Sequence, residues 1–440
     1  MKLLDGSSKF NLIDILFFVY IFFLPIMLVP SLPIVDRKIQ YSDLIFAVLF
    51  IPLSGLLIKK KIKVVKTLLY IPLGFYLLTH ILSMLNSVDI IKSLLEISGV
   101  IYLSILFFVT IILVSNRDIL RKILISWMFA LGLVLICGII GIVEVYIFKK
   151  ESSVFMCQYI TFDRYKLMHS LIPRVISTLR SPDMLISYLV LSLGPLIAFY
   201  RNTQIRAKKV IIFIFSGALF FVAAFTLSRG ILALLICVAI SFLSNRMKRS
   251  SSLIVVRFLL VNIAVVVFII FAIFSLWEPS RLQISDYANT GEKNLSAVFH
   301  RPVKFYFYKY ALLMIKDHPF VGVGSGNFNN NLRKYYYQDK QADPYFITYL
   351  DFDPHSTYLG LTAEIGIFGL IFFLSLVALF LRHMFLIYRS NNDCYIRNLA
   401  IGIIASVIGI LIQGLAMDVQ NLRHLWLVFG LGMSLTNLKV

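Results

Sequence analysis

Apolar runs of helix length, separated by short polar stretches, dominate the sequence. A helix needs about 20 apolar residues to cross a bilayer, and in lipid it must satisfy its own backbone hydrogen bonds. The pattern therefore predicts an all-α, polytopic membrane protein with about 12 transmembrane helices. The predicted spans are 11–31, 42–58, 67–86, 94–115, 119–147, 183–200, 208–226, 230–245, 253–277, 356–381, 396–416 and 424–438.

The spans divide the chain into three parts. Residues 1–277 hold the first nine helices, with an outer loop at 148–182, residues 278–355 form a large outer loop, and residues 356–440 hold helices ten to twelve. We expect short interfacial helices in the large loop. Its run FYFYKYALLMIKD (305–317) predicts an amphipathic helix whose aromatic and apolar side chains lie among the headgroups.

Basic residues occupy alternate loops. They include KKKIKVVK (59–66), NRDILRK (116–122), RNTQIRAKK (201–209), NRMKRSSS (245–252) and the 382–397 loop. The positive-inside rule makes these loops cytoplasmic, so we expect both termini in the cytoplasm and both long loops outside. No small-residue cleavage site follows the first span, and we expect that span to be retained.

Composition narrows the class of protein. Residues are 59% hydrophobic and 15% charged, whereas a soluble domain has about 25% charged residues. The net charge of +20 would suggest a nucleic-acid partner in a soluble protein, but positive-inside loops explain about half of the basic residues. We therefore expect no nucleic-acid partner. The four scattered cysteines predict neither a disulfide framework nor a metal cluster.

Three arginines are candidate ligands for an anion. Arg229 lies in TLSRG (226–230), a minimal outward turn between the seventh and eighth spans. A charge near the hydrocarbon costs a few kcal/mol, so Arg229 is a candidate functional residue. The alternative is an interfacial arginine whose side chain extends to the lipid headgroups. Arg174 and Arg180, in PRVISTLRSPD (173–183), suit a diphosphate or a headgroup anchor equally. The guanidinium offers a rigid fork of donors for phosphate oxygens.

His355 is the candidate base. It lies in DPHSTYLGL, at the predicted outer N-terminus of the tenth span, where the helix dipole disfavours imidazolium. The ring should therefore stay neutral near pH 7, with Asp353 able to orient it. Glu364, nine residues further on, should point away from His355 and support helix packing. Glycines 322, 324 and 326 of HPFVGVGSGNF (318–328) predict tight turns on the membrane surface.

Four local patterns resemble the bacterial O-antigen ligase and polymerase-like membrane glycosyltransferases. They are RVISTLRSPDMLISYLVLSLGPL (174–196), TLSRG, YALLMIKDHPFVGVGSGNF (310–328) and DPHSTYLGLTAEIGIFGL (353–370). The resemblance places His355 at the family's histidine and Glu364 at its glutamate. The chain departs from the pattern at Asp183, where the family often has asparagine. The family usually has an arginine about one helix length upstream of HPFVGVG. By spacing, that position is Lys304 in this chain, and the nearest arginine, Arg301, lies three residues earlier.

The resemblance implies a ligase-like enzyme that moves a glycan from a polyprenyl diphosphate, such as undecaprenyl diphosphate, to a hydroxyl of lipid A–core. The reaction would occur at the outer face of the bacterial inner membrane, with inversion and without a metal or other cofactor. His355 would be the catalytic base, and Arg229, Arg174 and either Arg301 or Lys304 would hold the diphosphate, under a roof formed by residues 305–328.

Three other functions stay open at this point. A repeat-unit polymerase would use the same donor chemistry with a different acceptor. A transporter or flippase of lipid-linked sugars also fits twelve spans, although the candidate residues cluster at the predicted outer edge. A structural role in envelope assembly is the third.

Overall fold

The structure is a computed structural model that describes residues 12–27, 32–34, 37–58, 67–150, 152–160, 171–243, 303–342, 344–351 and 354–438. The predicted ninth span, Arg301 and Asp353 lie outside the described residues.

The described residues are mostly helical, as the sequence predicts. The α-helices are α1 Leu12–Phe23, α2 Tyr41–Ile58, α3 Tyr70–Ser83, α4 Ile90–Leu113, α5 Arg117–Ile142, α6 Pro182–Asn202, α7 Arg206–Phe225, α8 Ile231–Leu243, α9 Val303–Asp317, α10 Phe328–Gln338, α11 Thr357–Ser390, α12 Cys394–Gln413 and α13 Arg423–Ser434. A π-helical turn, Val143–Ile147, continues α5. Helix α1 ends eight residues before its predicted limit, because Pro25 disfavours helix at the residue before it.

Two short antiparallel hairpins depart from the all-α expectation. Strand β1 (Leu32–Ile34) pairs with β2 (Arg37–Ile39), and β3 (Met156–Ile160) pairs with β4 (Leu171–Val175). Both hairpins lie in loops that the sequence places outside the membrane. In such loops water can hydrogen-bond the backbone groups at the open strand edges, whereas lipid offers those groups no partner.

Six described helices are long and apolar enough to cross a membrane. They are Ile90–Leu113, Arg117–Ile147, Pro182–Asn202, Arg206–Phe225, Thr357–Ser390 and Cys394–Gln413. Three shorter apolar helices cover Leu12–Phe23, Tyr41–Leu56 and Ile231–Ile240. The fold fits a multi-pass membrane protein, and the number of twelve spans stays a prediction.

Close helix packing holds the bundle together. Helix α12 packs against α6 and α8, α3 packs against α11, and α4 packs against α13. Gly194 of α6 and Gly402 of α12 face each other so closely that a Cβ on either would meet the other's backbone. Small residues that let backbones approach are typical of helix contacts in membranes.

The glycine loop 318–328 docks into a break in α11. Gly366 interrupts the helix with a φ of 74°. The amides of Val323 and Gly324 donate to the carbonyls of Ala363 (2.9 Å) and Glu364 (3.0 Å). These bonds satisfy backbone groups that the break would otherwise leave open. The loop therefore links α9 to α11.

The predicted tight turns are confirmed, and the loop packs against other helices, while its position relative to the membrane surface stays a prediction. Glycines 322, 324 and 326 have φ values of 75°, 106° and 70°. Ser325 and Asn327 are fully buried against α3 and the start of α4, where Ser325 Oγ lies 2.8 Å from His80 Nδ1. The loop thus packs against α3 and α4, where its polar groups find partners, and the predicted roof over the donor stays a prediction.

Helix α9 forms where the sequence predicts it, but protein covers its aromatic face. Phe307 and Tyr310 are fully buried, and their rings lie 5.0 Å and 5.7 Å from the ring of Phe346. Phe328 and Tyr336 of α10 belong to the same small core. The amphipathic pattern of one helix shows that it has an apolar face, but not whether protein or membrane covers that face. Here α10 and the 3₁₀ helix Pro344–Tyr349 cover the aromatic side chains of α9.

The break at Gly366 gives a stability prediction. Gly366→Ala should lower the thermal midpoint of the detergent-purified protein, because φ 74° with ψ 179° lies in a region that essentially only glycine adopts, at a cost of about 1–3 kcal/mol for other residues. Its Cβ would in addition clash with the Phe320 carbonyl. Gly74→Ala in α3 is the matched control, since no atom lies within 4 Å of its added Cβ. Equal midpoints for the two variants would show that the break does not require glycine.

Candidate active site

His355 has an uncommon backbone conformation just before α11. Its φ is 51°, in the left-handed region that costs a residue other than glycine on the order of 1–3 kcal/mol. The next residues hold it in place. Ser356 Oγ accepts from the Leu359 amide at 3.5 Å, and Thr357 Oγ1 donates to the Met417 carbonyl at 2.8 Å. A strained residue held by its neighbours is typical of functional sites.

The half-buried imidazole of His355 lies against α9. Its ring meets the Phe307 ring edge to face, with centroids 5.3 Å apart. Lys304, three residues before Phe307, lies on the same face of α9. The Lys304 ammonium is 3.4 Å from the Ala416 carbonyl oxygen. Helix α9 thus brings one cation and one aromatic ring to the candidate base.

Arg229 is presented by the turn between α7 and α8. The turn is fixed by Thr226 and Ser228: the Thr226 carbonyl accepts from Arg174 Nε at 2.6 Å, and Ser228 Oγ accepts from the Gly230 amide at 3.2 Å. The Arg229 side chain is exposed, and no hydrogen bond joins it to another described residue. Its guanidinium is therefore available to a ligand.

Asp183 joins the cationic residues into one site. At the start of α6, its carboxylate accepts a hydrogen bond from Ser228 Oγ. Arg174 Nη2 lies 3.9 Å from the same carboxylate. The Asp183 carbonyl accepts from Gln413 Nε2 at 3.0 Å. The sequence singles out Asp183 only as a departure from the family pattern, and its place beside Arg174 and Arg229 emerges from the fold.

The electrostatics favour a neutral base beside cations. Burial lowers the pKa of the His355 imidazole, Lys304 lowers it further, and Asp183 opposes them. Burial also lowers the pKa of the Lys304 ammonium, with Arg229 acting in the same direction and Asp183 against it. The direction at His355 agrees with the sequence expectation, and burial is the leading cause. The adjacent cations favour an anionic ligand.

The structure brings four predicted site residues together and separates two. His355, Arg229, Arg174 and Lys304 share one region, and the three cations Arg229, Arg174 and Lys304 are called the cationic cluster below. Arg180 lies apart, where burial and Arg423 lower the pKa of its guanidinium and Asp43 opposes this shift. Ser177, with a φ of 53°, lies between the two arginines in the chain, and Arg174 contacts a different carboxylate, that of Asp183.

Glu364 is hydrogen-bonded to the glycine loop and to the start of α10. Its carboxylate accepts from the Phe328 amide at 3.2 Å, and its carbonyl accepts from Gly324. Both bonds tie the glycine loop to α11. This arrangement agrees with the supporting role that the sequence predicts for Glu364.

No group of three or more His, Cys, Asp or Glu side chains within the described ranges is arranged to hold a metal ion. The expectation of a metal-free reaction stays a prediction.

Comparison with known proteins supports one family. Residues 214–374 match the family model described as O-Antigen ligase. The match includes Arg229, Lys304, His355 and Glu364 and begins after Arg174. It confirms the resemblance to an O-antigen ligase-like family. No curated protein matches the chain.

Proposed function

We propose that this chain is an O-antigen ligase-like membrane glycosyltransferase that transfers a glycan from a polyprenyl diphosphate to a hydroxyl of lipid A–core. The observation that supports this most is the cationic cluster next to His355, a histidine whose pKa is lowered. Several apolar helices and the family match fit a bacterial inner-membrane protein. We place the reaction on its periplasmic face, with both termini in the cytoplasm.

In the proposed mechanism, His355 acts as general base. It accepts the proton of the acceptor hydroxyl, whose oxygen attacks the anomeric carbon of the donor sugar. The bond between that carbon and the phosphate oxygen breaks, its electron pair stays on the diphosphate, and the anomeric configuration inverts. The products are a new glycoside and free polyprenyl diphosphate.

The cationic cluster stabilises the leaving group. Negative charge on the diphosphate increases as the sugar–phosphate bond breaks, and preorganised donors stabilise such a transition state. Arg229 is the most accessible of these cations. Asp183 anchors Ser228 and contacts Arg174, and so fixes the turn that presents Arg229. Arg301 stays a further candidate for contact with the diphosphate.

A transporter would place its ligand differently. Substrate sites of secondary transporters lie near the middle of the bilayer, between broken helices. Here His355 precedes α11, Asp183 lies in the first turn of α6, and Arg229 lies between α7 and α8. The side chains of the cluster therefore lie at helix ends, and this favours chemistry at the membrane surface.

The acceptor decides between ligase and polymerase. The purified protein in proteoliposomes would receive lipid-linked glycan with either lipid A–core or a second lipid-linked repeat unit. Transfer to lipid A–core is the expected result, and transfer only to the repeat unit would assign a polymerase. Addition of EDTA should leave the rate unchanged, and loss of activity would contradict the metal-free mechanism.

The pH profile should report the two charges that act on His355. The rate falls as the pH drops through the pKa of His355, because the protonated ring cannot accept a proton. Lys304→Met removes a cation that lowers this pKa, so the acidic limb of kcat/KM should move to higher pH. Asp183→Asn removes the carboxylate that raises the pKa, so the limb should move to lower pH.

The matched control is Lys316→Met, at the far end of α9. Its profile should overlay that of the wild type. Unchanged limbs in both Lys304→Met and Asp183→Asn would show that His355 is not the group that titrates.

A further inference from the structure

The residues at the end of α12, 413–417, contact the elements that carry the candidate site. Their backbone carbonyls accept hydrogen bonds from Lys304 Nζ and Tyr308 Oη of α9, both at 3.4 Å. They also accept from the Thr357 amide, at the start of α11, at 2.8 Å. The family match, 214–374, ends before α12. A segment outside the matched region thus joins the two elements that hold Lys304 and the candidate base.

Gln413 adds α6 and the Arg229 turn to these contacts. Its side chain is buried, with 4% exposure. Its Nε2 donates to the Asp183 carbonyl at 3.0 Å and to Met417 Sδ at 3.0 Å. A Cβ added to Gly230 would lie 3.1 Å from the same nitrogen. The amide of Gln413 therefore lies directly against the backbone of the turn that presents Arg229.

The orientation of the Gln413 amide is fixed by its donors. Both acceptors, the Asp183 carbonyl and Met417 Sδ, lie on the nitrogen side. The Oε1 atom is buried and has no hydrogen-bond partner among the described residues. A buried acceptor without a partner costs free energy, and an apolar side chain of the same size would avoid that cost. Glutamine at this position therefore favours a positional role over a contribution to stability.

The hydrogen bond between Gln413 and Asp183 ties α12 to the first turn of α6. The tight contact between these helices, at Gly194 and Gly402, lies about three turns away along each helix. Ser187 Oγ also donates to the Asp183 carbonyl, at 2.8 Å, but it belongs to α6 itself. The Gln413 amide thus restrains the end of α6 that lies far from the tight contact.

A chain of hydrogen bonds leads from Gln413 to Arg229. The Asp183 carboxylate, held beside Gln413 by its own backbone, accepts from Ser228 Oγ. Ser228 Oγ in turn accepts from the Gly230 amide at 3.2 Å. Restraint of Asp183 therefore restrains the residues on both sides of Arg229.

From these contacts we propose that Gln413 is a positioning residue that aims the Arg229 guanidinium at the donor diphosphate. The inference rests on the proposed function. An arginine whose backbone is held in place loses less conformational freedom when it binds, so it binds the diphosphate more tightly. Such preorganisation also increases the stabilisation of the leaving group in the transition state.

Diphosphate binding without turnover tests the proposal separately from glycan transfer. The probe is farnesyl diphosphate, a short polyprenyl diphosphate, titrated by calorimetry into the full-length protein in detergent. Gln413→Met should weaken its binding by roughly tenfold, the scale of one hydrogen bond. The thermal midpoint should stay near that of the wild type, because the Asp183 carbonyl keeps its bond from Ser187. Gln413→Leu repeats the test if Gln413→Met does not fold.

A double-mutant cycle with Arg229→Ala separates positioning from a general structural effect. If Gln413 acts through Arg229, Gln413→Met in the Arg229→Ala background should weaken binding by no more than about twofold, because coupled residues are not additive. Ser406→Ala is the matched control. Ser406 is buried two turns earlier on the same face of α12, with its Oγ 3.7 Å from Cys237 Sγ. Its variant should bind the probe as the wild type does.

Four results would overturn the inference. They are an equal loss of affinity in both backgrounds, unchanged affinity in Gln413→Met, unfolding of both apolar variants, and absence of probe binding by the wild type. Any of these results with glycan transfer intact would leave the proposed function standing. The expected coupling in a protein that transfers no glycan would support the positioning role and count against the enzyme.

Discussion

Replacing Arg229 with alanine is expected to slow glycan transfer by about 10²–10³-fold, the usual effect of removing one preorganised donor from a transition state. The exposed guanidinium makes no hydrogen bond to the other described residues, so the fold should not depend on it. The transfer rate of Arg229→Lys should fall between those of the wild type and Arg229→Ala, because lysine keeps the positive charge but lacks the planar fork of donors. Initial rates in proteoliposomes with saturating acceptor measure the effect.

Arg206→Ala is the control for Arg229. Arg206 begins the same helix, α7, that the Arg229 turn follows, and it too is exposed. It lies in the predicted cytoplasmic loop and should have no effect on the rate. Transfer by Arg229→Ala at the wild-type rate would remove Arg229 from the mechanism.

His355→Asn should cost about 10²–10⁴-fold in transfer rate, the range for loss of a general base. Asparagine tolerates the left-handed conformation better than most residues, so the local backbone should persist. Donor binding should be retained, because the cationic cluster is intact. Product formation and donor affinity, measured on the same sample, separate the chemical step from binding.

His355→Gly adds a second readout. Glycine adopts a φ of 51° without strain, so this variant should be as inactive as His355→Asn and more stable to heat. His318→Asn, in the glycine loop, is the control and should transfer at the wild-type rate. Wild-type activity in His355→Asn would exclude His355 as the base.

The helical framework could be predicted because each span is encoded locally. A run of apolar residues must be helical in lipid wherever it packs, so α1 to α8 and α11 to α13 begin close to their predicted limits. Local breakers set some ends, such as Pro25 after α1. Helix α11 continues to Ser390, beyond its predicted limit at 381, because no glycine or proline interrupts RHMFLIYRS.

The candidate site could be predicted only in part, since its remaining features depend on contacts between distant segments. The sequence identifies His355, Arg229 and Arg174 as chemically suited residues. It does not show that Asp183 connects the Arg229 turn to Arg174. The same limit applies to the glycine loop, which docks at a break in α11, and to α9, whose aromatic face is covered by α10.

The central claim is that this protein breaks the sugar–phosphate bond of a lipid-linked glycan at the cationic cluster. The most direct measurement follows a doubly labelled donor, with one label in the glycan and one in the polyprenyl diphosphate, in proteoliposomes that contain the acceptor. The account predicts one molecule of free polyprenyl diphosphate for each glycan joined to acceptor, and neither product in His355→Asn. Movement of the donor across the bilayer with both labels still joined, and no glycan on the acceptor, would contradict it.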